Sequence, residues 1–411
     1  MNPATFIFLL TYVLVSLGEN SPRKLDRPTA TLLGAVLMVV SGSLSRGEAY
    51  RAIDFGTLAI LFGLMILLTV LMQSGLPTWL AFRVLNRCSS PRELLAVVVF
   101  TSGLGSALML NDTVCLLGTP LLLQMTTQAG LRPAPFLLAL ATSANIGSVM
   151  TLTGNPQNII IGEASGWTWA GFALHMVPIG LVALAADWLL LSLIYRRSLQ
   201  PAMMQCQLTD LKNSVQYPLA AKSVFIFGGL ISAFLLGAPL DVSSVSAAAL
   251  LLVWANRPPR EALEKVDWSL LLFFAGLFVV VAGFVKAEGY LLGRWIDYLG
   301  TQVGLKTIAL FSTATVLGSN LVSNVPLVII VSHWVRQMSD PMFVWLLLAL
   351  TSTFAGNLTL FGSVANVIVA QGAQHHAPLR FRDFLLAGIP VTLVTTILGV
   401  SLLWVFRRLG F

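Results

Sequence analysis

Charge is what this sequence has least of. Only 10% of its 411 residues are Asp, Glu, Lys or Arg, against 56% hydrophobic, a balance too apolar for a water-soluble fold of ordinary composition. No stretch is long and polar enough to form a soluble domain. Cysteine is scarce as well: Cys88, Cys115 and Cys206 are far apart, form no Cys-x-x-Cys pair, and give neither a metal spacing nor a disulfide framework. Signatures of hydrolytic chemistry are missing, with no His-Glu-x-x-His, no Gly-x-Ser-x-Gly and no paired acids, so an intramembrane enzyme is not indicated. The net charge of +7 raises the question of nucleic acid. The basic residues, however, stand singly or in pairs between apolar runs, with no patch interleaved with aromatics.

What is present is hydrophobic length. Runs of roughly 16 to 24 residues recur along the chain, each able to cross about 30 Å of hydrocarbon. The sequence predicts an all-α polytopic membrane protein with about ten spans: Ala4 to Leu17, Ala30 to Leu44, Thr57 to Gly75, Pro135 to Ile161, Val177 to Tyr195, Ser223 to Leu236, Ser244 to Trp254, Ser269 to Val285, Phe343 to Ala370 and Ala387 to Phe406. Met1 to Glu19 lacks a basic leading region and a small-residue exit, so it reads as a retained helix rather than a cleaved signal. Two more apolar stretches, Leu94 to Gln128 and Ile308 to Val335, are interrupted by Leu110-Asn111-Asp112-Thr113 and Val322-Ser323-Asn324-Val325-Pro326. Each is either two spans or one re-entrant hairpin.

The halves of the chain correspond. Thr151-Leu152-Thr153-Gly154-Asn155-Pro156-Gln157-Asn158 returns as Thr359-Leu360-Phe361-Gly362-Ser363-Val364-Ala365-Asn366. Asp54-Phe55 opens a helix containing Gly63-Leu64, and Asp267-Trp268 opens one containing Gly276-Leu277 at the same offset. Residues 1–197 form a first repeat, with hairpin 94–128 and broken helix 135–161. Residues 198–222 form a cytoplasmic linker, and 223–411 a second repeat with hairpin 308–335 and broken helix 343–370. With about five crossings each, the repeats enter the membrane in opposite orientations, the pattern of secondary transporters. Cytoplasmic loops carry excess Lys and Arg. On this topology 16 of the 24 basic residues are cytoplasmic, namely Arg23, Lys24, Arg27, Arg83, Arg87, Arg92, Arg132, Arg196, Arg197, Lys212, Lys222, Arg257, Arg260, Lys265, Arg380 and Arg382, and both termini lie outside.

Irregular backbone at membrane depth is tolerated only where it lines a cavity or is buried in protein, which makes the breaks the candidate site. An interrupted helix offers amides that attract anions and carbonyls that attract cations or hydroxyls. One centre would gather Asn111, Asp112, Thr113, Asn145, Ser148, Thr151, Thr153, Gly154, Asn155 and Asn158. Its mirror image would gather Ser319, Asn320, Ser323, Asn324, Asn357, Thr359, Gly362, Ser363 and Asn366. These neutral groups suit a small polyhydroxy or oxyanion solute. No Lys or Arg lies within any break, so a multiply charged anion would rely on helix dipoles and bound cations. Asp112 is the one acid at a break, and an acid at that depth is a candidate proton carrier. Asp187, without a paired break beside it, reads as structural, and Glu163 as a solvated helix end. The four histidines read as loop or interface residues. Trp167, Trp169, Trp268, Trp295 and Trp334 read as interfacial anchors.

The run Pro135 to Ser148, continuing to Gly154-Asn155-Pro156-Gln157-Asn158, resembles the ion transporter superfamily, and more narrowly its arsenite permease and sodium/proton antiporter branch. Asn111-Asp112-Thr113, Ser323-Asn324-Val325-Pro326 and Ala355 to Asn366 are similar to arsenite permeases and plant silicon-efflux transporters. The resemblance implies solute bound between hairpin tips and helix breaks, and elevator-like movement of that unit against a scaffold. Related dicarboxylate carriers have Ser-Asn-Thr at both tips. Here the first tip is Asn111-Asp112-Thr113 and Val325 replaces the second threonine, a departure that suits proton coupling and a weak oxyacid. The expectation is a proton-coupled exporter of a small inorganic oxyacid or its anion, arsenite first, in the cell's inner (plasma) membrane. A sodium/proton antiporter and a sodium-coupled anion or carboxylate symporter are the alternatives. No metal and no cofactor are expected beyond a coupling proton or sodium ion. The expected partners are the lipid bilayer, a small inorganic solute and a second copy in a homodimer, with no nucleic acid.

Overall fold

The computed structural model describes residues 2–17, 26–200, 215–299 and 302–410. Arg23, Lys24, Cys206, Lys212, the Trp295 side chain and most of the 198–222 linker lie outside the described residues. The first half runs α1 (Pro3–Leu17), α2 (Arg27–Val40), α3 (Arg46–Ala52), α4 (Phe55–Gln73), α5 (Leu76–Leu85), α6 (Pro91–Leu108), α7 (Asn111–Gln128), α8 (Ala134–Ser148), α9 (Pro156–Ser165) and α10 (Trp169–Ile194). The second runs α11 (Tyr217–Leu235), α12 (Leu240–Trp254), α13 (Pro259–Leu263), α14 (Trp268–Leu299), α15 (Leu305–Val322), α16 (Asn324–Val335), α17 (Pro341–Ala355), α18 (Val364–Ala373) and α19 (Phe381–Leu409). A single 3-10 turn, Leu360–Gly362, precedes α18. No strand occurs among the described residues.

Among the described residues six helices are long and apolar enough to cross a membrane alone: Phe55–Gln73, Trp169–Ile194, Tyr217–Leu235, Trp268–Tyr290, Leu305–Val322 and Phe381–Leu409. The ten expected spans map onto α1, α2, α4, the pair α8 and α9, α10, α11, α12, α14, the pair α17 and α18, and α19. Boundaries differ where caps decide them. α10 starts at Trp169 rather than Val177 because the Thr168 side chain accepts the Gly171 N–H, satisfying a free amide of the first turn. The helices α3, α5 and α13 were not anticipated. α3 carries a readable signal, since Ser45 and Glu48 close a capping box of the Ser-x-x-Glu type.

The interrupted stretches form hairpins. α6 and α7 have 18 residues each, roughly 27 Å at 1.5 Å per residue, so length alone leaves both readings open. At the apex the Asn111 N–H donates to the Gly154 carbonyl at 3.0 Å. The apex therefore stops beside the break between α8 and α9. In the second half Asn320, near the end of α15, does the equivalent, donating to the Ala355 carbonyl at 3.0 Å and accepting from Thr359 Oγ1 at 3.1 Å.

The halves interlock rather than stack as separate units, with α4 against α12 and α2 against α14. A Cβ on Gly63 would come within 2.5 Å of the Ser244 backbone, and one on Gly276 within 2.9 Å of the Thr31 backbone. Matching glycines thus bring matching helix pairs into backbone contact. Two expected anchors are instead core residues. Trp169 and Trp334 are each only 8% exposed, and Trp169 Nε1 donates to Thr153 Oγ1 at 3.1 Å. Trp268, at 54% exposed, is on the surface. His175 and His333 lie within α10 and α16, each bonded to a carbonyl one turn back.

Candidate functional site

The two helix breaks bind one another through Asn145, in the last turns of α8. Its Nδ2 donates to Asn357 Oδ1 at 2.8 Å and Asn366 Oδ1 at 3.0 Å. Its Oδ1 accepts from Asn111 Nδ2 at 3.1 Å and Ser363 Oγ at 2.9 Å. A carboxamide has two N–H donors and two lone pairs, so Asn145 is saturated. All five residues are buried or nearly so. The knot therefore joins the first hairpin tip, the first break and the second break through a saturated Asn145, while the Asn111 Oδ1 stays without a partner.

Around it the breaks are built alike. Asn158 Nδ2 donates to the Ser148 and Thr151 carbonyls, ten and seven residues back, at 3.2 and 2.9 Å. Asn366 Nδ2 donates to the Gly356 and Thr359 carbonyls at the same offsets, at 2.8 and 2.9 Å. These are the carbonyls that a broken helix leaves without partners. The N-caps reach across: Asn155 caps α9 and donates to Thr353 Oγ1 at 3.3 Å, just as Ser363 caps α18 and donates to Asn145. Thr353 stands in α17 where Asn145 stands in α8. A Cβ on Gly154 would overlap the Ser148 carbonyl, and one on Gly362 would fall 2.8 Å from the Gly356 carbonyl.

Beside the knot is a cavity of about 190 Å³. Residues from the first turns of α7 (Asn111, Asp112), α9 (Pro156, Gln157), α16 (Asn324, Val325) and α18 (Val364) line it. Four helix N-termini thus converge on one space, each with a partial positive charge that favours an anion or an electron-rich oxygen. Ser323, held at φ 73°, and Ser363 add hydroxyls. Phe273, Phe274 and Phe361 supply an apolar wall. Asn324, with its amide turned to satisfy its neighbours, donates to the Gly362 and Ser352 carbonyls at 3.2 and 3.3 Å. The same wall holds Tyr12 and Arg27.

Asp112 is half-buried and also lines a second cavity, of about 420 Å³, with Thr113, Thr69, Gln73, Lys265 and Asp267. Pro156, Leu270 and Val364 are common to both cavities. Lys265 and Asp267 are exposed, so the second cavity leads from Asp112 toward the surface.

Of the expected site residues, the first cavity receives Asn111, Asp112, Asn320, Ser323, Asn324, Gly362 and Ser363, and the second receives Thr113. Asn145, Asn357, Asn158 and Asn366 are spent on the knot and the break carbonyls. Ser148 accepts from Asn155 at 2.8 Å, Thr151 donates to the Ala107 carbonyl at 2.6 Å, and Thr359 holds Asn320. Thr153 pairs with Trp169. Asp187 is wholly buried, accepts from Thr142 Oγ1 at 3.0 Å and joins α10 to α8 away from both cavities. Sequence reasoning missed Arg27, Gln157 and the phenylalanine wall as cavity residues. Gln157 had a signal, standing in the repeated phrase at the first turn of α9. Arg27 had none, because it reads as one more basic loop residue.

Comparison with known proteins agrees with this architecture. A family profile described as citrate transporter (CitMHS) matches residues 12–355. The silicon efflux transporter LSI3 of Oryza sativa subsp. japonica is 31% identical, over 92% of each chain. The putative transporter arsB of Dictyostelium discoideum is 24% identical, over 96% of this chain and 91% of its own. The crystal structure of the Alcanivorax borkumensis YdaH transporter superposes with a TM-score of 0.58 at 16% identity, over 99% of this chain and 97% of that one, a likeness of fold alone. The superfamily resemblance read from the motifs holds, and the chain is a multi-pass membrane transporter: it belongs to the CitMHS citrate transporter family of the ion transporter superfamily.

Proposed function

We propose that this protein is a proton-coupled secondary transporter that exports a small inorganic oxyacid or its anion, arsenite first and silicic acid next, across the cell's inner membrane by alternating access. The observation that carries the reading is the position of Asp112. It is the only acid among the described residues on the wall of the cavity where four helix N-termini converge, so the group able to take up a proton faces the space able to hold the solute. The printed names of LSI3 and arsB support an oxyacid. On the positive-inside reading, the loop carrying Lys265 and Asp267 is cytoplasmic, which makes this an inward-open state. The first half-helices, the tips and the N-caps present neutral hydroxyls and amides suited to an uncharged acid.

A second reading, an anion or carboxylate symporter, is favoured by the citrate description of the family and by the cationic Arg27 on the cavity wall. Reconstitution in proteoliposomes separates the two. The proposal expects an imposed pH gradient to drive arsenite or silicic acid flux, and Asp112→Asn to leave a slower flux that ignores the gradient. Unchanged pH-driven flux in Asp112→Asn would remove Asp112 from coupling. Sodium-driven citrate uptake would favour the symporter.

A further inference from the structure

Arg27 and Asp112 face one cavity from helices that pack on different neighbours. α2, which Arg27 opens, packs on α1, α3 and α14. α7, which Asp112 opens, packs on α5, α6, α8 and α18. Arg27 is the only basic residue on the wall of this cavity among the described residues, and Asp112 is the only acid. Their charges attract one another although no ion pair closes between them. Each is half-buried, where an opposite charge is felt more strongly than in bulk water. The remaining groups with a titratable proton or charge around Asp112 are Tyr12 on the first cavity wall, Cys115 one turn along α7, and the pair Lys265 and Asp267 at the mouth of the second cavity. Of these, Asp267 repels the Asp112 carboxylate. Arg27 is therefore the cation placed to stabilise it from inside the site.

We infer that Arg27 is a positioning residue for coupling: a fixed counter-charge on the scaffold side that eases ionisation of Asp112 in the state seen here, and loses its hold on Asp112 when the hairpins and broken helices move. This rests on the alternating-access reading given above. Near Arg27 the carboxylate costs less than it does away from that cation, although burial and Asp267 work against it. Away from Arg27 the same acid faces low-dielectric surroundings without its partner, and the neutral form is favoured. Protonation of Asp112 is thereby tied to the position of the moving unit. On the positive-inside topology Arg27 lies toward the cytoplasm, so the proton is released there, as export driven by inward proton flow requires.

The test is a pH profile of arsenite and silicic acid flux in proteoliposomes holding the full chain, for the parent, Arg27→Gln, Arg27→Lys, Asp112→Asn and the Arg27→Gln/Asp112→Asn double variant. Losing an opposite charge at this range should move the half-maximal pH of Arg27→Gln toward alkali by about one unit, a tenfold change in proton affinity. Arg27→Lys should restore the parental midpoint. With Asn at 112 the profile should be flat whichever residue stands at 27. Arg27→Met, which keeps an apolar stem along the wall, replaces the glutamine variant should that one fail to fold. A uniform loss of flux at an unmoved midpoint would make Arg27 merely structural and overturn the inference. Absence of pH-driven flux of either solute in the parent would instead sink the transport reading on which the inference depends.

Discussion

At the scale of single residues, the carboxamide N–H groups at the breaks hold the breaks open. Asn145→Ala would strip partners from Asn111, Asn357, Ser363 and Asn366 together. A buried group left unpaired costs about 1–3 kcal/mol, so a large fall in melting temperature is expected, with flux lost as a consequence. Asn158→Ala and Asn366→Ala should fall by similar amounts, since each frees two break carbonyls. A thermal-unfolding series in detergent checks both points. Glycines divide in the same experiment. A Cβ on Gly147 would overlap the Gly103 backbone, so Gly147→Ala should destabilise by about 1–3 kcal/mol or more. Gly229 in α11 has open space around it, and Gly229→Ala should be neutral or better. The polar residues of the breaks were legible because donors and acceptors inside apolar runs have to be satisfied somewhere. What each one satisfies was not legible. Asn145 joins segments more than two hundred residues apart, and Arg27 looks like a topology marker until the fold brings it to Asp112.

At the scale of elements, the hairpins and broken helices were readable because polar interruptions stand out against hydrophobic length. The short helices α3, α5 and α13 were not, since they are too brief to give a period and lie between spans. α3 is tied to α14 by the ion pair of Lys286 Nζ and Glu48 Oε1 at 2.6 Å. Lys286, and then the amide and hydroxyl of Ser45, hold the Glu48 carboxyl down to about 2. A depressed carboxyl stabilises the fold above its ordinary range and loses that contribution as pH falls through about 2, so no change is expected in the neutral range. The division into packing groups also predicts which elements slide. Gly56 of α4 lies against the Glu163 side chain of α9, which under the proposed alternating access is a boundary between scaffold and moving unit. Thr5 of α1 hydrogen-bonds Glu288 of α14 within the scaffold. Cross-linking Gly56→Cys to Glu163→Cys, with the native cysteines replaced, should arrest flux reversibly, whereas Thr5→Cys to Glu288→Cys should not. Equal flux from both cross-linked forms would count against sliding at that boundary.

At the scale of the whole molecule, the order of elements in 3–194 recurs in 217–409, and the matching glycine contacts of Gly63 and Gly276 are what two copies of one plan crossing each other would leave. The mirror fails at the tips, where Asp112 in the first turn of α7 has no acidic counterpart in the first turn of α16. One repeat keeps an acid and the other gives it up, while Arg27 on α2 faces that acid across the cavity. The asymmetry fits a carrier that handles one coupling proton at one position. Solute-free proteoliposomes give the most direct test of this account. They are loaded with a pH-sensitive dye and challenged with sodium, then with arsenite or silicic acid. The account predicts no proton movement with sodium alone and prompt proton movement when the oxyacid is added, abolished by Asp112→Asn. Sodium-driven proton movement in the absence of any oxyacid would contradict it.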